Sequence, residues 1–182
     1  KIRGYFPNMQ QQSKLIPRPR LMNQILRFLD EAPVTVLLGA RQTGKTDLAQ
    51  MVADFFENKN KAAVYRFDLE RAASRASLAT PEITLESLQG LVVNDEIQRI
   101  PQLFETLRPL ADRAEAPARF LVLGSASPGL VRRVSESLAG RALSIPVPGF
   151  ALDELGADSQ DTLWIRGGFP RSRMASSDDA SF

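Results

Sequence analysis

The amino-acid sequence predicts an α/β fold, a three-layer αβα sandwich built on a parallel sheet. Three observations carry this. From Val34 onward, short apolar runs alternate with helical stripes, the pattern of strands joined by crossover helices. Some of the runs are apolar throughout while others alternate, which separates central strands from edge strands. The chain has 182 residues, room for one domain and a small addition at roughly 150 residues per domain.

The elements follow in order. Residues 1–17 have no sustained periodicity and read as a flexible N-terminal arm. Leu21, Met22, Ile25, Leu26, Phe28 and Leu29 share one broad helical face, ended by Pro33 after Asp30 and Glu31. Val34–Leu38 is the first strand. Leu48, Met51, Val52, Phe55 and Phe56 form the next helical stripe. Ala62–Leu69 is the second strand, with Tyr65, Phe67 and Leu69 on one side and Arg66 and Asp68 on the other. Arg71–Leu88 is helical with a break near Pro81, and Leu91–Val93 is the third strand. Pro101 opens a helix carrying Leu103, Phe104, Leu107 and Leu110. Phe120–Leu123 is the fourth strand. Ser127 and Pro128 read as the cap and first turn of a helix bearing Leu130, Val131, Val134 and Leu138. Leu143, Ile145 and Val147 alternate as the fifth strand.

The first, third and fourth runs are apolar almost throughout and should be central, and the second and fifth should lie toward the edges. A strand order of 5-1-4-3-2 satisfies that division. The main domain is expected over residues 18–150, a short helical extension over 151–173, and a mobile polar tail over 174–182.

Composition narrows the chemistry. The chain has no cysteine and no histidine. That excludes disulfide frameworks, thiol nucleophiles, zinc–thiolate sites and Ser-His-Asp hydrolysis. Any metal should be a hard ion on oxygen ligands, which points to magnesium. Basic residues number 23 and acidic residues 21, a net charge of +2, which by itself is no nucleic-acid footprint. A nucleic-acid-binding role rests only on scattered arginines such as Arg18 and Arg20. No run approaches the roughly 18 apolar residues of a membrane span, and the polar start lacks a signal-peptide hydrophobic stretch, so the cytoplasm is the expected location.

Gly39-Ala40-Arg41-Gln42-Thr43-Gly44-Lys45-Thr46 matches G-x-x-x-x-G-K-[ST], between a predicted strand and a predicted helix. Gly39 and Gly44 let the backbone curl so that successive N–H groups face phosphate oxygens. The following helix adds its positive dipole end. Lys45 offers a point charge to the β- and γ-phosphates, and the Thr46 hydroxyl is a magnesium ligand candidate.

Leu91-Val92-Val93-Asn94-Asp95-Glu96 is an apolar strand ending in two carboxylates. In an open parallel sheet, ligands sit beyond the carboxyl ends of the strands. Asp95 is therefore the second candidate for holding magnesium, and Glu96 the candidate for accepting a proton from, or orienting, an attacking water. Asn94 is out of place in a central strand, because a buried amide needs partners. It either bonds a neighbouring loop or faces a less sealed layer.

Further polar groups surround this plan. Ser125 ends the fourth strand, either as a turn former or aimed at the γ-phosphate region. Arg141 ends the helix after that strand, either bonded to helix carbonyls or reaching a neighbouring subunit's γ-phosphate. Arg132 and Arg133 compete with it from more solvated positions. Arg166, just before Gly167-Gly168-Phe169-Pro170, is a candidate phosphate contact within the same chain.

GARQTGKT (Gly39–Thr46), NDEIQRIPQLFETLR (Asn94–Arg108), LGSASPGLVRRVSESLAGR (Leu123–Arg141) and LWIRGGFP (Leu163–Pro170) together resemble one family, the AAA+-type P-loop ATPases widespread in bacteria and archaea. The resemblance covers most of Ile16 to Arg173. In many members an uncharacterised C-terminal domain of nuclease-like architecture follows, and the resemblance implies that this chain stops where it would begin. It also implies the same 5-1-4-3-2 sheet, Ser125 as the polar sensor on the fourth strand, and Arg141 as a candidate arginine finger, hence a candidate homo-oligomer contact. Asn94 stands where the family usually has an apolar residue. The expected activity is binding of ATP and magnesium and slow hydrolysis to ADP and phosphate. The alternative is a nucleotide-gated switch with little turnover.

Overall fold

A computed structural model describes residues 16–113, 118–173 and 175. Most of the arm expected over 1–17 and nearly all of the tail expected over 174–182 lie outside them. Five strands, β1 (Val34–Gly39), β2 (Val64–Asp68), β3 (Gly90–Asp95), β4 (Ala118–Ser125) and β5 (Ala142–Pro146), pair in parallel in the order β2-β3-β4-β1-β5. That is the expected order read from the other edge.

Helices cover both faces because each central strand sends alternate apolar residues to opposite sides. Leu37, Leu91, Val93, Leu121 and Leu123 meet α1 (Pro19–Glu31) and α2 (Lys45–Asn58) on one face. Val34, Val36, Val92, Phe120 and Val122 meet α4 (Pro81–Glu86 after α3, Ala72–Ser77), α5 (Leu103–Ala111) and α6 (Pro128–Ser137) on the other. Three short helices follow the sheet: α7 (Leu152–Leu155), α8 (Gln160–Arg166) and α9 (Pro170–Arg173). Among the described residues no helix is long and apolar enough to cross a membrane.

Local details bear out most boundaries. Ser127 caps α6, its side chain accepting from the Leu130 N–H. The helical stretch over 71–88 is two helices separated before Pro81. Pro101 does not open α5. The chain makes a short 3₁₀ turn at Ile97–Arg99, bends through Pro101, and enters the helix at Leu103.

Asn94 is fully buried, between Phe67 of β2 and Val122 of β4 in register. Neither of its amide atoms has a hydrogen-bond partner among the described residues. Neither expected arrangement is seen: the residue faces a sealed layer, and among the described residues no loop group hydrogen-bonds to it. A buried polar group without a partner costs about 1–3 kcal/mol. Asn94→Val is therefore expected to stabilise the domain, raising the midpoint of thermal unfolding by roughly 2 °C or more. A midpoint equal to or below the parent's in calorimetry would show that Asn94 is satisfied.

Candidate functional site

The site lies where the strands end. Gly39, Asp95 and Ser125 are the last residues of β1, β3 and β4, and Gly39 stands in register with Ser125. Parallel pairing thus brings three segments distant in sequence onto one rim.

The phosphate loop spans β1 and α2. Gly44 has φ +84°, a left-handed conformation that glycine adopts without strain. Gly39 is glycine for another reason. Its φ is not in that region, but a Cβ there would lie 2.3 Å from the Val147 carbonyl oxygen. The curling role expected of Gly39 is thus corrected: the close passage of the chain after β5 excludes a side chain. The Thr43 hydroxyl donates to the Ala40 carbonyl at 3.1 Å, closing the loop on itself. Ala40, Arg41 and Gln42 are exposed at its tip.

Lys45 opens α2 and is 5% exposed. Its Nζ donates to the carbonyls of Gly39 at 3.0 Å and Ala40 at 2.7 Å. Burial lowers its pKa from the ordinary lysine value, against the opposing pull of Glu96 and Asp95 and with a smaller lowering effect from Arg41. Thr46 Oγ1 donates to Asp95 Oδ2 at 2.7 Å, joining the loop on β1 to the acidic end of β3. Asp95 Oδ1 accepts from the Glu96 N–H at 2.9 Å. Gln42, Gly44, Lys45, Thr46, Asp47, Glu96, Pro170 and Arg171 surround a cavity of about 280 Å³.

Two residues at this site escape a reading of the sequence alone. Gln98, in the turn after β3, donates from Nε2 to Glu96 Oε2, and its Oε1 accepts from the Ser125 N–H at 3.4 Å. It bridges the carboxylate to the end of β4. Gly124 leaves room for this, since a Cβ there would meet Leu130, Ile97 and Gln98 Oε1. A polar residue two positions after Glu96 points by itself to no role. Arg171 of α9 is the second. It lines the phosphate-loop cavity, whereas Arg166 spends a guanidinium N–H on the Ala175 carbonyl at 2.6 Å. Arg166 does not line that cavity.

Arg141 lies at the opposite rim. It precedes the first residue of β5, which stands in register with Val34, the first residue of β1. Its Nε and one terminal nitrogen grip Asp112 at 2.5 and 2.8 Å, and the other donates to the Ala139 carbonyl at 3.0 Å. The pair holds the Asp112 carboxyl below its ordinary pKa and raises that of Arg141. Arg141 is therefore not part of its own chain's site. Arg18 also departs from expectation. It is 4% exposed, so it offers no free cation to a phosphate backbone, while Arg20 is exposed beside Asp153. Arg132 pairs with Glu136 on the surface of α6.

Among the described residues no three carboxylates cluster, and Thr46 Oγ1 and Asp95 Oδ2 are two oxygens that could hold a cation. These are hard donors, 2.7 Å apart and beside the phosphate loop. They suit magnesium, which keeps several waters and takes one or two protein ligands plus substrate phosphates.

Known structures share this fold. The Walker-type ATPase PABY2304 of Pyrococcus abyssi superposes with a TM-score of 0.57 at 12% identity, over 97% of this chain and 72% of that one. Domain III of the replication initiation protein DnaA of Thermotoga maritima gives 0.53 at 15% identity, over 85% of this chain and 73% of that one. The ORC1 protein of Aeropyrum pernix, solved in complex with DNA, gives 0.52 at 15% identity, over 89% and 50%. At these identities the likeness is one of fold. In sequence, the uncharacterised proteins Mb2031c of Mycobacterium bovis and Rv2008c of Mycobacterium tuberculosis are each 44% identical over 167 residues, 92% of this chain. The chain spans 36% of the length of these relatives. The sequence profile of a family described as "AAA domain" matches residues 31–156, more than half of the chain, including the phosphate loop and the ends of β3 and β4. A parallel sheet in this order, a phosphate loop after its first strand and that match together place the protein in the AAA domain family, among the P-loop nucleotide-binding folds.

Proposed function

We propose that this domain binds ATP with magnesium and hydrolyses it to ADP and phosphate. The observation that carries the reading is the 2.7 Å bond from Thr46 to Asp95, which sets the two hard oxygens of the loop and the acidic strand end together beside Lys45. The loop N–H groups and the start of α2 offer donors and positive potential to the phosphate oxygens. Lys45 can exchange its carbonyl partners for the β- and γ-phosphates. Glu96, on the same cavity, accepts the proton of a water that attacks the γ-phosphorus while the bond from that phosphorus to the ADP oxygen breaks. Magnesium, held by Thr46 and Asp95, would neutralise phosphate charge.

Arg141, with Asp112 beside it, is proposed to serve a second copy's site from the opposite rim. Gln98 favours a second reading, a nucleotide-gated switch, because its amide already engages the Glu96 carboxylate. Steady-state phosphate release separates the two. The hydrolase releases phosphate above background only with magnesium, and Asp95→Asn raises the magnesium concentration required. A switch binds ATP with magnesium and releases phosphate at background. The same assay run over a range of protein concentrations reads the role of Arg141. Activity per chain should rise with concentration in the parent and lose that rise in Arg141→Ala.

A further inference from the structure

Arg18 is a heavily bonded side chain behind the phosphate loop. It stands immediately before α1, 4% exposed, and all five of its guanidinium N–H groups have acceptors. Nε and one terminal nitrogen grip Glu154 of α7, at 2.6 Å to Oε1 and 3.0 Å to Oε2. The terminal nitrogens also donate to the carbonyls of Pro148 at 3.0 Å and Gly149 at 3.1 Å. The remaining bond runs to the carbonyl of Thr43, inside the phosphate loop, at 3.1 Å. The ring of Phe150 lies 5.1 Å from the guanidinium carbon.

We propose that Arg18 is a positioning residue that ties the phosphate loop to the Pro148–Leu155 segment, so that nucleotide binding and the docking of α7 are coupled. This rests on the phosphate-site reading above. The argument for the loop is geometric. In a planar trans peptide the C=O and the next N–H point in opposite directions. Arg18 holds the Thr43 carbonyl, so the Gly44 N–H is directed away from Arg18, and Gly44 lines the cavity of the phosphate loop. The guanidinium also places a fixed positive charge behind the loop. The argument for α7 is electrostatic. A buried cation is tolerated only when paired and hydrogen-bonded. Glu154 supplies the charge, and its Oε2 also accepts from the Ala151 N–H at 3.0 Å, at the start of α7. If α7 lifts away, Arg18 loses its counter-charge and the two carbonyls before α7, and its hold on Thr43 is no longer fixed. Coupling of this kind is reciprocal: whatever α7 does to nucleotide affinity, nucleotide does to the docking of α7.

The test compares the parent chain with Glu154→Gln, Arg18→Lys and Arg18→Gln. Calorimetry with ATP and magnesium gives affinity, steady-state phosphate release gives KM and kcat, and amide hydrogen exchange follows residues 149–155. In the parent, saturating ATP should slow exchange across 149–155. Glu154→Gln keeps the packing volume and should weaken ATP about fivefold or more, raise KM with kcat held, and abolish the ATP-induced slowing. Arg18→Lys keeps the charge and should recover part of the affinity that Arg18→Gln loses. If folded Glu154→Gln binds ATP as the parent does, with the slowing at 149–155 intact, Arg18 is a structural anchor and the coupling is wrong. A variant that only destabilises the fold lowers apparent kcat at constant KM, which also counts against it. If the Arg18 variants do not fold, Glu154→Gln decides alone. A folded parent that binds no ATP overturns the phosphate-site reading and the coupling with it, whereas a parent that binds ATP and variants that match it overturn the coupling only.

Discussion

Lys45→Ala is expected to weaken ATP binding at least tenfold, or about 1.4 kcal/mol, and to leave the fold intact. The ammonium stands inside the loop on the carbonyls of Gly39 and Ala40, so it is already placed where phosphate oxygens would meet the loop. Its pKa is lowered chiefly by burial, which means that folding disfavours this charge rather than relying on it. Losing it should therefore cost ligand affinity and little stability, the usual trade at a functional site. Calorimetric titration with ATP and magnesium checks the first half, and thermal unfolding without ligand checks the second. Unchanged affinity would remove the phosphate-loop reading altogether. A large drop in the unfolding midpoint would instead make Lys45 a structural brace.

Glu96→Gln is expected to keep ATP–magnesium binding near the parent's while lowering phosphate release by roughly 100-fold or more, the range of general-base contributions. The substitution preserves size, and a glutamine carbonyl there can still accept the bond that Gln98 donates. What disappears is the group able to take a proton from water. Glu96 adopts a left-handed backbone conformation, φ +57°, uncommon for a residue with a side chain. Phosphate release at the parent's rate would reduce Glu96 to a turn residue fixed by Asp95 and would move the search for the base elsewhere on the rim.

The phosphate loop was legible because its chemistry is local. Eight consecutive residues carry glycines, lysine and threonine at spacings that a strand–loop–helix needs, and no partner segment is required to recognise them. The strand order was legible because burial on one face or two leaves a different pattern in each strand: β3 and β4 are apolar almost throughout, while β2 alternates with Tyr65 and Phe67 against one core. Gln98 and Arg171 were not legible. Each becomes part of the site through a turn or a late helix that only the folded chain brings to the rim. Arg18 could not be placed for the same reason, since nothing in the neighbouring residues shows that Glu154 and three carbonyls close around it.

The sequence by itself thus determined the layered fold, the strand order, the loop, and the acidic end of β3, because periodicity and short motifs are written in neighbouring residues. Only the tertiary structure decided what sits opposite what. It showed that Val147 is why Gly39 has no side chain, that Arg141 faces away from its own site, that Asn94 is sealed with no hydrogen-bond partner among the described residues, and that Arg18 joins the phosphate loop to α7. Those facts depend on contacts between residues tens of positions or more apart, and neither spacing nor composition encodes a distance across the fold.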